Sequence, residues 1–194
     1  YNKNADYGNK NGLSSIDFAQ HLVLGKSHDA RYSVEIIANR KPDRQDKYDS
    51  SSDWLKEFTD STEATNLYWN SGNGVDGNVA RVTYTNLNPN NKYTDKDGNV
   101  HKIAKIVRTI SNLGADSQWT PIDGSVSHIR IFNDPTDGVQ YSSNVTVHDD
   151  YYDENDNKIN IDGNAYITLA SLNNSVSGDS PETVAEHLKN HNDD

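Results

Sequence analysis

Two tryptophans of this chain stand among amide and carboxylate side chains in Gly-containing stretches that read as loops. Tyr68, Trp69 and Asn70 run on to Gly72 and Asn73, while Asp116, Gln118 and Trp119 follow Gly114. An indole face against sugar C–H groups, beside planar amides that pair with vicinal hydroxyls, is the chemistry of a carbohydrate subsite. Each indole could equally plug a core, and both readings stay open for Trp69 and Trp119. A third candidate joins Asp134 of the Asp-Pro-Thr-Asp-Gly run 134–138 to Tyr141. The same run has the composition of a tight corner, with Pro setting φ and Gly closing the turn.

Other chemistries fail on residue type or spacing. The chain has no Cys, which removes thiolate nucleophiles, disulfides and Cys-ligated metals. Asp95, Asp97 and Asn99, and again Asp153, Asn155 and Asn157, imitate the opening of a calcium loop. Neither has the sixth-position Gly, and position twelve is Ile106 or Asn164 instead of Glu, so both read as hairpin turns. No cofactor is expected, and calcium held by carboxylates distant in sequence has no motif behind it. His187 and His191 are spaced i, i+4 with no third ligand nearby in the sequence. Asp149 and Asp150 are strand neighbours that point to opposite faces, which defeats a shared acid/base site, and no Gly-x-Ser-x-Gly elbow occurs. The reading is a binding module and not an enzyme.

With 18 Lys and Arg against 29 Asp and Glu, the net charge of −11 disfavours nucleic acid as a partner. Lys102, Lys105 and Arg108 are the one basic cluster that an anionic partner could use. No apolar run approaches the length of a membrane span. The chain opens on Tyr1 rather than Met, as expected of a segment of a longer parent chain. Mean hydropathy is low, at −0.92, yet 11 Tyr, 3 Trp and 3 Phe offer the large apolar faces that a folded core needs. The 25 Asn and 23 Asp are turn formers in number.

The elements that must position these residues are strands. Period-two alternation marks Ile16 to Leu24, Tyr32 to Ala38, Val79 to Asn86, Ser127 to Phe132, Val145 to Tyr152 and Asn164 to Leu172. In Val100 to Leu113 the apolar residues Ile103, Ile106, Val107 and Ile110 follow helical spacing. Their β-branching and the preceding Asp97-Gly98 decide for a strand with a bulge. The Asn39 to Thr65 stretch reads as an insertion outside the sheets, with a short helix at Ser52 to Phe58. A second short helix is expected from Pro181, behind the cap Ser180.

Two blocks of sequence go further. One is Ala-Arg-Val-Thr-Tyr-Thr-Asn-Leu at 80–87, followed by Lys-Ile-Ala-Lys-Ile-Val at 102–107. The other is Asn133 to Gly138, then Val145 to Val147, Tyr152 to Asn155 and Ala170 to Asn174. In wording and order they resemble the glucan-binding protein C and antigen I/II adhesins of Gram-positive cocci and lactobacilli, over roughly 66–174. The chain departs from their pattern at Asn155-Asp156, where Asn-Gly is usual. The resemblance implies a variable (tip) domain with a lectin-like β-sandwich, extracellular and cell-wall anchored through the parent chain. It further implies a ligand held without turnover, either a host glycoprotein such as salivary or mucosal agglutinin or a glucan-type polysaccharide.

Together these readings predict a mainly β chain: an antiparallel lectin-like sandwich with short peripheral helices. Residues 1–13 are a linker-like entry, 14–190 a single domain and 191–194 an acidic tail. The expected ligand-binding residues are Trp69, Asn70, Gln118, Trp119, Asp134 and Tyr141. The alternative is a structural or protein-interaction sandwich, using a sheet face or edge, with its tryptophans in the core.

Overall fold

A computed structural model describes residues 20–22, 24–49, 61–70, 73–114, 126–142, 145–161 and 165–166. Among them every regular element is a strand: β1 (Gln20–His21), β2 (Lys26–Ile36), β3 (Arg44–Asp49), β4 (Glu63–Trp69), β5 (Val75–Leu87), β6 (Lys92–Thr94), β7 (Val100–Lys102), β8 (Lys105–Leu113), β9 (Ser127–Phe132), β10 (Val139–Gln140), β11 (Thr146–Tyr152), β12 (Lys158–Ile159) and β13 (Ala165–Tyr166). A five-stranded antiparallel sheet runs β12-β11-β8-β5-β2, and a four-stranded one runs β10-β9-β4-β3. The hairpin β6-β7 and the parallel pair β1-β13 complete the set.

The sandwich is built by alternation. From the five-stranded sheet Val82, Tyr84, Ile106 and Ile110 enter one hydrophobic cluster; from the other sheet Leu67, Trp69, Ile129 and Ile131 meet them. Each such side chain contributes about 1.5–3 kcal/mol by leaving water. Tyr84 adds a polar stitch across the layers, its hydroxyl donating to the Phe132 carbonyl at 3.1 Å. At the rim of β5 the pairing register with β8 shifts around Gly77, whose φ of +73° suits a residue without Cβ. Its N–H donates to Asn112 Oδ1 at 3.0 Å.

The mainly β, antiparallel expectation is met, and the segment with helical spacing is strand, though not one strand with a bulge: β7 pairs with β6, and β8 lies in the five-stranded sheet. The chain breaks step at Ile103 and Ala104, between β7 and β8, and this explains the misleading period. Ile103 is buried ahead of the strand, its N–H on the Asn91 carbonyl, and Ile106 and Ile110 then point inward by alternation. Two expectations need correction. The stretch 39–65 is not outside the sheets, because β3 pairs with β4 along its whole length as the edge of the four-stranded sheet. Nor is Trp69 in a loop, since it ends β4, an inner strand of that sheet. The segments expected to be helical, 52–58 and the one from Pro181, lie outside the described residues, as do 1–13 and 191–194.

Candidate functional site

The four-stranded sheet sends Leu67, Trp69, Ile129 and Ile131 into the core, so its other face carries Asn66 and Tyr68 of β4 and His128 and Arg130 of β9. Register places Tyr68 opposite both His128 and Arg44, and Asn66 opposite both Arg130 and Asp46. The result is a stack of flat groups across three strands. The Arg44 guanidinium lies 4.0 Å from the Tyr68 ring centre, Tyr68 stacks on His128 at 4.1 Å, and His128 stacks on Tyr141 at 4.8 Å. The Arg130 guanidinium sits 4.7 Å from the Tyr141 ring centre.

A hydrogen-bond relay runs beside the stack. Arg130 Nε donates to Asn66 Oδ1 at 3.0 Å, and Asn66 Nδ2 donates to Asp46 Oδ1 at 2.9 Å. That fixes the amide, so the 3.0 Å contact between His128 Nε2 and Asn66 Oδ1 has the imidazole donating. His128 therefore carries its lone pair on Nδ1. Burial pushes its pKa down to about 4; the Arg130 charge and, more weakly, Arg44 push the same way, against Asp46. The imidazole is neutral near pH 7, and Nδ1 is a buried acceptor with no partner. Gln140 Oε1 and Ser142 Oγ, flanking Tyr141, are buried without partners too.

Tyr141 reaches this face by an unusual route. Val139 pairs with Ile131 and Gln140 with Arg130, so continued pairing would set residue 141 opposite Ile129, on the core side. A φ of +64° at Tyr141 ends β10, and the ring lies instead on His128. A left-handed non-Gly residue costs roughly 1–2 kcal/mol, strain of the kind that gathers at functional sites. The layer is closed off in the middle, with His128, Asn66, Tyr68 and Arg130 all buried. It opens at the β3 rim, where the Arg44 and Asp46 side chains are 52% and 42% exposed.

The sequence profile of the glucan-binding protein C family matches residues 5–192. The chain belongs to this family. The match takes in the N-terminal third, where the chain shows no motif to the eye. No curated protein and no solved structure matches the chain.

Within this glucan-binding protein C domain the six expected ligand-binding residues part company. Only Tyr141 joins the stack. Trp69 is wholly buried, its indole N–H donating to the Arg40 carbonyl at 2.9 Å, and it offers no face to a ligand. The physical reason is alternation: Trp69 shares the inward row with Leu67. Asn70 is exposed just past β4, its N–H held by Asp43 Oδ2 at 2.7 Å. Asp134 is buried in its own turn, taking the Thr136 N–H and hydroxyl on Oδ1 at 2.9 and 2.7 Å. Its neighbours Asn133 and Asp137 bond Thr62 and Ser61, clamping the start of β4. Gln118 and Trp119 lie outside the described residues.

The two calcium-like runs are turns whose carboxylates are already engaged. Asp95 Oδ1 accepts the N–H groups of Asp97 and Asn99, and Oδ2 the Asn99 amide and His101, bonds that hold its carboxyl well below the usual range. Asp153 repeats the pattern with Asn155 and Asn157. Among the described residues no group of three His, Asp or Glu side chains is placed to hold a metal. The basic cluster also dissolves. Lys102 pairs with Glu154 and Lys105 with Asp156, while Arg108 is buried on the inner face against Asp149. The missed residues, Arg44, Asp46, Asn66, Tyr68, His128 and Arg130, left one sequence signal: a His and an Arg two apart in an otherwise apolar strand.

Proposed function

We propose that this chain is the ligand-binding domain of a Gram-positive surface adhesin, and that it holds a glucan-type polysaccharide without turnover on the outer face of the four-stranded sheet. One observation carries the reading: that face holds a stack of aromatic and guanidinium planes with an amide–carboxylate relay beside it, buried in the middle and open at the β3 rim, where the Arg44 plane and the Asp46 carboxylate can meet a pyranose chain. Family membership supports a glucan as the polymer. The glycans of a host glycoprotein present the same hydroxyl chemistry and are the second partner the reading allows. A tip-domain position, as in antigen I/II proteins, and anchorage to the cell wall through a parent chain belong to the same proposal.

The test is titration calorimetry at pH 7 with soluble dextran, with a glycoprotein agglutinin and with a polymer lacking hydroxyls. Saturable binding of dextran, weakened at least tenfold by Tyr68→Ala or Tyr141→Ala in folded protein, is expected. No binding to dextran or agglutinin, or binding indifferent to both variants, refutes it. Released sugars on prolonged incubation would overturn the absence of turnover.

A further inference from the structure

His128 in the stack and the two residues beside Tyr141 hold three polar atoms that the fold leaves unpartnered: His128 Nδ1, Gln140 Oε1 and Ser142 Oγ. Buried polar groups are almost always paired, so an unpaired one is a place for an ordered water or for a ligand group that displaces it. Two of these can only accept, since the imidazole is tied as the Nε2–H tautomer by Asn66 and a Gln carbonyl oxygen has no proton. The third is a hydroxyl that does either. Gln140 and Ser142 flank Tyr141, whose ring covers His128. The Nδ1 lone pair lies in the ring plane, so a donor-bearing group meets it along the edge of the stack, on the side of Tyr141, the strained residue at the end of the two-residue strand β10.

We propose that His128 is the specificity-determining residue of this face. Its Nδ1, with Gln140 Oε1 and Ser142 Oγ, accepts hydroxyl donors of the ligand at the edge of the stack beside Tyr141, and protonation of the imidazole ends binding. This rests on the polysaccharide reading above.

The surroundings of His128 give the proton its effect. From β3 the stack receives Arg44 and Asp46, from β4 Tyr68 and Asn66, from β9 Arg130, and beyond β10 Tyr141. Two guanidinium ions flank the imidazole and one carboxylate opposes them, and that carboxylate is bound to Asn66 and Arg44. A proton on Nδ1 removes the acceptor a ligand hydroxyl needs. It also sets a third cation in the layer with no acceptor to meet it. Acid therefore works against the ligand and against the closed stack together. The closed imidazole titrates near pH 4 and an opened one near its ordinary 6.5, so release falls between these values.

The test is soluble dextran binding by wild type and His128→Phe from pH 7 to pH 4. Phe keeps a flat ring between the two tyrosines and leaves Asn66 bound to Arg130. Wild-type affinity is expected to fall at least tenfold across this range. His128→Phe should bind roughly tenfold more weakly than wild type at pH 7 and show a flat profile. Gln140→Leu, which leaves His128 in place, should also weaken binding severalfold while keeping the pH dependence. Flat wild-type binding, or a His128→Phe profile that titrates like wild type, overturns the inference. If wild type binds no dextran at any pH, the polysaccharide reading fails, and the inference is then decided without ligand by NMR. An Nε2–H imidazole that titrates below 6.5, with the Tyr141 ring signals shifting in step, supports it; Tyr141 signals indifferent to that titration overturn it.

Discussion

Arg108 and Asp149 face each other across β8 and β11 on the inner side of the sandwich, their side chains 8% and 10% exposed. Two charge-assisted bonds join them, Nε to Oδ1 and Nη2 to Oδ2, both at 2.8 Å. The Tyr84 ring centre lies 5.5 Å from the guanidinium. Burial works against the charged guanidinium, yet the Asp149 carboxylate outweighs it and holds Arg108 above its ordinary pKa. Nearby, burial and the same carboxylate push the Tyr151 hydroxyl up to about 12. Replacing Asp149 by Asn keeps the volume, removes the charge and turns one acceptor into a donor aimed at the guanidinium. A buried charge stripped of its partner costs about 3–5 kcal/mol, which for a chain of this length is a fall in Tm of very roughly 10 °C. Arg108→Met leaves the carboxylate stranded and should cost a similar amount. The double variant Arg108→Met, Asp149→Leu puts apolar volume in both places and should return to within about 1–2 kcal/mol of wild type, a coupling of several kcal/mol. Chemical denaturation with the four proteins measures it. Salt should barely alter the coupling, because a buried pair is poorly screened. Additive single losses, or a coupling erased by 1 M salt, would show that the pair is a surface contact, and the argument that Arg108 is closed to anionic partners would fall with it.

Three further outcomes follow from the same geometry. Because the folded His128 titrates near 4 and an unfolded one near 6.5, unfolded chains take the proton first. Stability is therefore complete above pH 6.5 and declines from there down to about pH 4, by at most about 3 kcal/mol. Denaturation midpoints of wild type against His128→Phe across that window isolate the contribution, and equal slopes would contradict it. In a chain with Trp54 and Trp119 replaced by Phe, fluorescence from Trp69 should be nearly indifferent to acrylamide, because the indole is sealed and bonded to Arg40; strong quenching would place it at the surface. Asp95→Ala should lower Tm and speed hydrogen exchange at the amides of Asp97 and Asn99. Acid should do the same to wild type once the pH falls through the depressed carboxyl value, since a lowered carboxylate stabilises above its titration and not below.

Most of the fold that is readable in one dimension is buried on one side; β9, buried throughout, is legible because His128 and Arg130 alternate with Ile129 and Ile131. In β8 the inward residues Ile106, Arg108 and Ile110 alternate with half-exposed ones, and in β5 Ala80, Val82 and Tyr84 alternate with the more exposed Arg81 and Thr83. The four-stranded sheet breaks that rule in two opposite ways. All of Ala64 to Trp69 in β4 is buried, so no polar row betrays the strand, and Asn66 and Thr65 make it look like a loop. Strand β3 is an edge of Arg, Gln, Asp, Lys, Tyr and Asp, polar on both faces, with nothing in its pattern to separate it from an insertion.

The site inherits both failures, because it lies where those two strands meet β9. Its residues come from the separate stretches 44–46, 66–68 and 128–130 and from Tyr141, the first three brought together by a register that pairs Asn66 with Asp46 on one side and Arg130 on the other. A one-residue slip of β4 against β9 would send Asn66 and Tyr68 to the core and Leu67 outward. The hydrophobic row of Leu67, Trp69, Ile129 and Ile131 forbids that slip, so the buried core indole is what aligns the groups of the proposed binding face. Trp69→Ala tests that dependence. It should cost about 3–5 kcal/mol as a cavity, and in folded survivors it should weaken dextran binding by loosening the Tyr68–His128 stack, although no atom of Trp69 faces the ligand. Unchanged affinity in a folded, destabilised variant would separate core from site and refute the link.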